Sequence, residues 1–175
     1  MKKAFGTALL FLLLAHPGLA APETFQVEHV TFAVPEGWKK VPPPTAMRKA
    51  QLEVGEGAAK AEVTFFHFGG GSGSVADNIA RWYSQFPESE ATRKSETVEI
   101  SGVKITFVAA AGTFSSGMPG GPTTPMADYA LRGAILENAE SGDVYVKMTG
   151  PKATVQSATE AFQKMVKDAA QPAAR

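Results

Sequence analysis

The stretch AEVTFFHF at residues 61–68 decides the fold of this chain. In an extended strand, successive side chains point to opposite faces of the sheet. Val63 and Phe65 therefore share one face, while Phe66 and Phe68 share the other. Residues 103–111 show the same two-sided pattern. Apolar side chains on both faces predict a sheet that is covered on both sides.

Two segments with helical spacing can supply this cover. The first helix begins after Ser74, a typical N-cap residue, and ends before Pro87. The second begins near Pro151, since proline is favoured in the first turn of a helix. The apolar residues of the first helix fall on one face: Val75, Ile79, Trp82 and Phe86.

The other segments are extended and are joined mostly by short turns. We predict strands over residues 24–34, 47–54, 61–68, 92–100, 103–114, 127–137 and 143–149. A tight turn such as Ser101-Gly102 favours antiparallel pairing. The order β-β-β-α-β-β-β-β-α therefore predicts an α+β protein. The expected architecture is an α/β/α sandwich, with a mainly antiparallel sheet of six to seven strands and one helix on each face.

The first 20 residues have the features of a secretory signal peptide. Lys2 and Lys3 precede an apolar run over residues 5–15, and Gly18 and Ala20 place small residues before a cleavage site. The run is shorter than the roughly 20 residues that span a bilayer. No cysteine is available for a lipid anchor. We therefore expect an exported protein, periplasmic or extracellular and not lipid-anchored, with no transmembrane segment in the mature chain.

Composition limits the classes of function. Residues 21–170 have the length of a single domain, and residues 171–175 are expected to form a frayed tail. Without Lys2 and Lys3 the net charge is about −2, so the cationic field that attracts nucleic acid is lacking. The absence of cysteine excludes disulfides, a thiol nucleophile and thiolate metal sites.

Motifs of catalysis are also missing from the sequence. The Gly-rich loop at residues 69–74 lacks the third glycine of a dinucleotide site and a Walker lysine, so we interpret it as a connector. His29 and His67 are the two histidines after residue 20, too few for a typical zinc site. No G-x-S-x-G nucleophile motif occurs. We expect no catalytic residues, no metal site and no cofactor, and therefore no enzyme.

Five residues are candidates for contact with a partner. Asn78, Arg81 and Gln85 form a polar stripe on the first helix, and Met118 lies in a Gly/Pro-rich loop over residues 115–125. The alternative for the stripe is structural, with Arg81 and Gln85 tying the helix to a neighbouring strand or loop through hydrogen bonds. The fifth candidate, Trp38, lies near a basic cluster formed by Lys39, Lys40, Arg48 and Lys49.

Three motifs resemble those of a known group of proteins. They are VPEGW at residues 34–38, N-x-x-R-W-x-x-Q-F at residues 78–86, and KMTGP at residues 147–151. Together they resemble an uncharacterised group of exported bacterial proteins with the PsbP-like α/β/α sandwich. Proteins of that fold, among them the extrinsic oxygen-evolving protein of photosystem II and a Ran-GTPase-binding protein, are mostly not enzymes. The resemblance implies an accessory or binding role.

The leading expectation is therefore an exported, non-enzymatic domain that contacts a protein or an envelope component. One alternative is a small-ligand binder or weak hydrolase with a pocket between sheet and helix, for which a deep polar cavity near His67 would be the sign. A further alternative is a structural envelope component with no discrete ligand.

Overall fold

The computed structural model describes residues 22–69, 73–87, 92–116 and 124–172. The predicted signal peptide and Met118 lie outside these ranges. Within them the strands are β1 (Thr24–Val27), β2 (Val30–Ala33), β3 (Lys39–Val41), β4 (Ala50–Val54), β5 (Ala61–His67), β6 (Lys94–Ile100), β7 (Val103–Ser116), β8 (Thr124–Leu136) and β9 (Val144–Pro151). The helices in the same ranges are α1 (Val75–Ser84), α2 (Lys152–Ser157) and α3 (Thr159–Ala169).

Seven strands form one antiparallel sheet in the order β3-β4-β5-β9-β8-β7-β6. The turn between β6 and β7 is the predicted one, because Ser101 and Gly102 both have positive φ, at 51° and 83°. Two such residues are typical of the tight turn whose twist matches a hairpin. Strands β5 and β9 lie near the middle of the sheet and pair over residues 62–67 and 144–149. The predicted α+β class and antiparallel sheet are confirmed.

One face of the sheet is covered by α2, α3 and a separate hairpin of β1 and β2. The predicted single strand over residues 24–34 is wrong, because Glu28 adopts a φ of 51° and turns the chain back on itself. Phe25 and Phe32 from this hairpin then pack against Phe65 of β5, with ring centres 4.9 and 5.0 Å from it. The predicted final helix is divided at Ala158 into α2 and α3.

The opposite face is covered in part by α1. Ser74 caps this helix as predicted, since its hydroxyl accepts from the Asp77 amide while the Asp77 carboxylate accepts from the Ser74 amide. Trp82 packs directly on Gly133 of β8, where an added Cβ would lie 2.2 Å from the indole ring. Because only a glycine leaves room for this contact, Gly133 sets how closely α1 approaches the sheet. The helix ends at Ser84, and Gln85 follows as its C-cap.

Other boundaries differ from the prediction at the edge of the sheet. Strand β4 begins at Ala50 rather than at Met47, whose side chain is 67% exposed. The edge strand β3 was not predicted. It has three residues, two lysines and a valine, between Trp38 and a proline run, and so short a segment shows no alternation of polar and apolar residues. No helix in the described ranges is both long enough and apolar enough to cross a membrane.

Candidate binding groove

Strand register brings a set of polar side chains together on the α1 face. Thr64 of β5 pairs with Lys147 of β9, and Glu62 pairs with Thr149 two residues further along. Residues that pair across strands share a face, as do residues two apart on one strand. These four side chains therefore point to the side of the sheet that carries α1, at the end where the helix stops.

A cavity of about 550 Å³ opens at this position. We call it the groove and define it by its floor, rim and wall. Its floor consists of Thr64, Lys147 and Thr149, its rim of Arg48, Ala58, Lys60 and Glu62, and its wall of Phe66, Gln85, Phe114, Met126 and Tyr129. Volumes of roughly 300–1,000 Å³ are usual for sites that bind small molecules or side chains.

Lys147 is the most unusual residue of the groove. Its Nζ donates a hydrogen bond to Gln85 Oε1 at 2.6 Å and lies 5.6 Å from the centre of the Phe114 ring. No carboxylate in the described part of the chain lies within 4 Å of this ammonium group. Burial, with a smaller contribution from the charge of Arg48, lowers the pKa of Lys147 from 10.5 to about 8.

The cations at the rim, in contrast, have acidic partners. Arg48 Nη1 lies 3.4 Å from Glu62 Oε2 and donates to Gln51 Oε1 at 2.7 Å. Lys60 Nζ lies 2.8 Å from Glu53 Oε1, and this hydrogen bond raises the pKa of Lys60. Once these pairs are counted, one positive charge of the groove stays uncompensated, and it is the partly buried charge of Lys147.

Two further donors lie beside Lys147. The hydroxyl of Thr149 is buried and has no hydrogen-bond partner within the described ranges. Buried hydroxyl groups are usually bonded, because an unsatisfied one costs free energy. Gln85 uses its side-chain oxygen to accept from Lys147, which leaves its amide NH₂ available as a donor. Ammonium, hydroxyl and amide donors therefore line the same cavity, whose described carboxylate, Glu62, is paired with Arg48.

The wall of the groove is aromatic. Phe114 stacks with Tyr129 at a ring-centre distance of 6.0 Å, and it contacts Phe86 at 5.2 Å. The pairing of β7 with β8 shifts register between Gly112 and Phe114, so the bulge re-aims the ring. An apolar surface beside buried donors suits a ligand that has both an apolar and a polar part.

The structure separates the five predicted contact residues. Asn78 is buried, donates to Ser74 O at 2.9 Å, and accepts from Arg81 Nη1 at 3.2 Å. Gln85 lines the groove and accepts from Lys147, so one member of the stripe does tie the helix to a strand. Trp38 packs against the core on the opposite face, and Met118 lies outside the described residues. Their contact roles stay predictions.

His67 ends β5 and, by the alternation of the strand, lies on the face of the sheet opposite to the groove. Its Nε2 is 2.6 Å from Ser141 O, and Ser141 Oγ is 2.8 Å from Nδ1 of His29. A smaller cavity of about 250 Å³ lies close by, lined by Gly69, Gly73 and the turn over residues 138–143. The larger polar cavity is therefore not at His67, where the small-ligand alternative expected it. The described residues include no cluster of three potential metal-ligating side chains.

Lys147 and Thr149 were not singled out from the sequence as a site. A signal did exist, because a lysine in the middle of a mostly apolar strand is unusual. Alternation along β9 puts Val146 and Met148 in the opposite core and leaves Lys147 and Thr149 on the α1 face. What the pattern could not show is that this end of the face is only partly covered.

No protein-family model matches the chain, and no curated protein sequence matches it. Among solved structures, cyanobacterial PsbP (CyanoP) from Synechocystis is similar, with a TM-score of 0.53 and 11% identity over 88% of this chain and 95% of that one. A Pseudomonas aeruginosa protein of unknown function, a putative regulator, has a TM-score of 0.44 and 14% identity over 89% of this chain and 99% of that one. The first similarity confirms the PsbP-like fold.

Proposed function

We propose that this protein is an exported, non-enzymatic binding domain that contacts a protein or an envelope component through the groove. The observation that carries the proposal is the partly buried ammonium of Lys147, which faces a cavity of about 550 Å³ and has no acidic partner in the described ranges. Burying a charge without a counter-charge costs free energy. Such a cost is expected at a site that gains its missing interaction when a partner binds.

The donors at the floor and the rings at the wall support binding together. Phe114 and Tyr129 offer apolar area, and Lys147 and Thr149 offer directed polar contacts. Strands β7, β8 and β9 hold these side chains in one sheet, so little ordering is needed on binding. A pre-formed groove of this kind is better suited to recognition than a surface that must rearrange on binding.

The non-enzymatic part of the proposal rests on the charged groups of the groove. Its described lining holds one carboxylate, Glu62, which lies 3.4 Å from Arg48. Acid–base hydrolysis of the glycosidase type uses two carboxylates on opposite sides of the substrate. A groove with a single ion-paired acid and an excess of donors is better suited to hold a group than to transform it.

Crosslinking in the living cell tests the proposal. A photo-reactive amino acid is placed at Ala58 or Met126, both at the groove, and at Gln156 or Glu160 as matched controls on the α2–α3 face. We expect partner adducts from the groove positions and none from the controls. Equal adducts from both faces, or adducts from the controls alone, would contradict a contact through the groove.

The recovered partner also tests the absence of turnover. Its mass after incubation with the purified protein should equal its mass before. A mass change that requires the protein would show catalysis and would overturn the non-enzymatic role.

A small-ligand binder is a second candidate, favoured by the volume of the groove. Native mass spectrometry of the purified protein separates it from the first. A bound small molecule that is displaced by blocking Met126 would support it, whereas a ligand-free mass together with groove adducts would support the protein or envelope partner.

A further inference from the structure

The floor of the groove has the donors and the charge to hold a small anion. Lys147 uses one of its three N–H groups for Gln85, so two stay available. Thr149 follows on the same face of β9, with its Cα roughly 7 Å along the strand and its hydroxyl buried without a partner in the described ranges. Because the rim cations are already paired, the anion that fits carries one negative charge.

We propose that the groove anchors a carboxylate group of its ligand between the ammonium of Lys147 and the hydroxyl of Thr149, with an adjoining apolar group against Phe114 and Tyr129. This inference rests on the proposed function, since it names the chemistry recognised at the same site. The two oxygens of a carboxylate can accept from both donors at once.

Charge balance favours a carboxylate over a phosphate dianion. A carboxylate neutralises the single uncompensated charge of Lys147, so the buried site becomes neutral. A dianion would leave one negative charge in the groove, because Arg48 and Lys60 are already occupied by Glu62 and Glu53. An uncompensated buried charge is costly whichever sign it has.

The carboxylate can come from a free organic acid or from the C-terminus of a polypeptide. Both present one negative charge next to an apolar group. Probes for the first source are 3-phenylpropionate and its neutral amide. Probes for the second are acetyl-Gly-Gly-Phe with a free C-terminus and the same peptide as an amide. Each pair keeps its shape nearly unchanged and differs in the charge that Lys147 would meet.

Calorimetric titration of the purified full-length protein with these probes tests the inference. We expect at least one acid to bind at least tenfold more tightly than its amide, and the tighter acid identifies the source. Lys147→Met should weaken the acid at least tenfold and leave the amide unchanged. Thr149→Val should weaken the acid several-fold, while Thr106→Val, a buried threonine elsewhere on the same face, should not.

Protonation of Lys147 gives a second readout. A bound carboxylate stabilises the ammonium, so the probe should raise the pKa of Lys147, measured by NMR at its Cε. Affinity should be constant between about pH 6, where the carboxylate is fully ionised, and about pH 8, and then fall about tenfold per pH unit as the amine loses its proton. Other ionisable groups that line the groove are Arg48, Lys60, Glu62 and Tyr129. Lys147→Met separates their effect, since its residual binding should lack this fall.

The inference is overturned if acid and amide bind equally, if neither acid binds, if inorganic phosphate binds more tightly than both acids, or if Lys147→Met keeps full affinity. Groove crosslinks without carboxylate binding would support the proposed function and contradict this inference. Carboxylate binding without groove crosslinks would keep the chemistry and remove the proposed protein or envelope partner.

Discussion

Replacing Lys147 by methionine should make the protein more stable at neutral pH. Methionine has a similar length and shape but carries no charge, so it removes the cost of burying an ammonium group among Phe114, Gln85 and the sheet. Buried charged groups replaced by apolar residues of similar volume often give this result. The gain should depend on pH in a manner that follows from the titration of Lys147.

The size of the effect follows from the pKa of Lys147. The unfolded chain holds the proton up to about pH 10.5, whereas the folded protein releases it at about pH 8. Between these values the unfolded state binds more protons, so for this group the free energy of unfolding rises with pH. The wild type therefore carries a penalty of about 3 kcal/mol below pH 8, which disappears by pH 10.5. Loss of the hydrogen bond to Gln85 reduces the gain at neutral pH by about 1 kcal/mol.

Urea unfolding of both proteins at intervals from pH 7 to pH 10.5 measures the difference directly. The free energy of unfolding of Lys147→Met should exceed that of the wild type by about 2 kcal/mol at pH 7, and this difference should be lost by pH 10.5. Lys164→Met is the matched control, because Lys164 is exposed on α3 and should show no such trend. A stability difference for Lys147→Met that does not vary with pH would refute the reasoning.

Three further substitutions, two of them paired with a control, are tested by shifts of the urea midpoint. Thr149→Val should stabilise the fold by about 1 kcal/mol, because it removes a buried hydroxyl without a partner in the described ranges, whereas Thr106→Val should give no gain since it breaks a hydrogen bond. Gly133→Ala should destabilise the fold by about 3 kcal/mol, because the added methyl group clashes with the indole ring of Trp82. Gly37→Ala is its control and should cost about 1 kcal/mol, because only the positive φ of this residue opposes the change. Ser74→Ala should lower stability by about 1 kcal/mol through loss of the capping box, and a loss equal to that of Gly133→Ala would show that the cap does more than end the helix.

The likeness to CyanoP extends to the backbone, while the chemistry of the groove depends on side chains. At 11% identity the two chains share a fold, and a shared fold does not imply a shared binding site. In this chain the distinctive features are Lys147 without a described acid partner and Thr149 without a described hydrogen bond. A comparison of function must therefore begin at these two residues rather than at the sandwich.

Local patterns determined much of the architecture. The capping signal at Ser74, the tight turn at Ser101-Gly102 and the core position of Trp82 each depend on neighbours within one element, so the sequence was enough to predict them. The β1–β2 hairpin was missed, although the apolar alternation changes phase between Val27 and Val30. That change of phase is a local signal, and it marks the turn.

By itself, the sequence determined a two-faced antiparallel sheet with helical cover, because alternation and helical spacing are properties of short segments. Only the tertiary structure decided that Lys147 lies beside Thr64, below Gln85 and next to a cavity. Strand pairing across 83 residues and the length of α1 set those neighbours. The pKa of Lys147 is lowered because residues distant in sequence bury its side chain, so the lysine alone could not have indicated this shift.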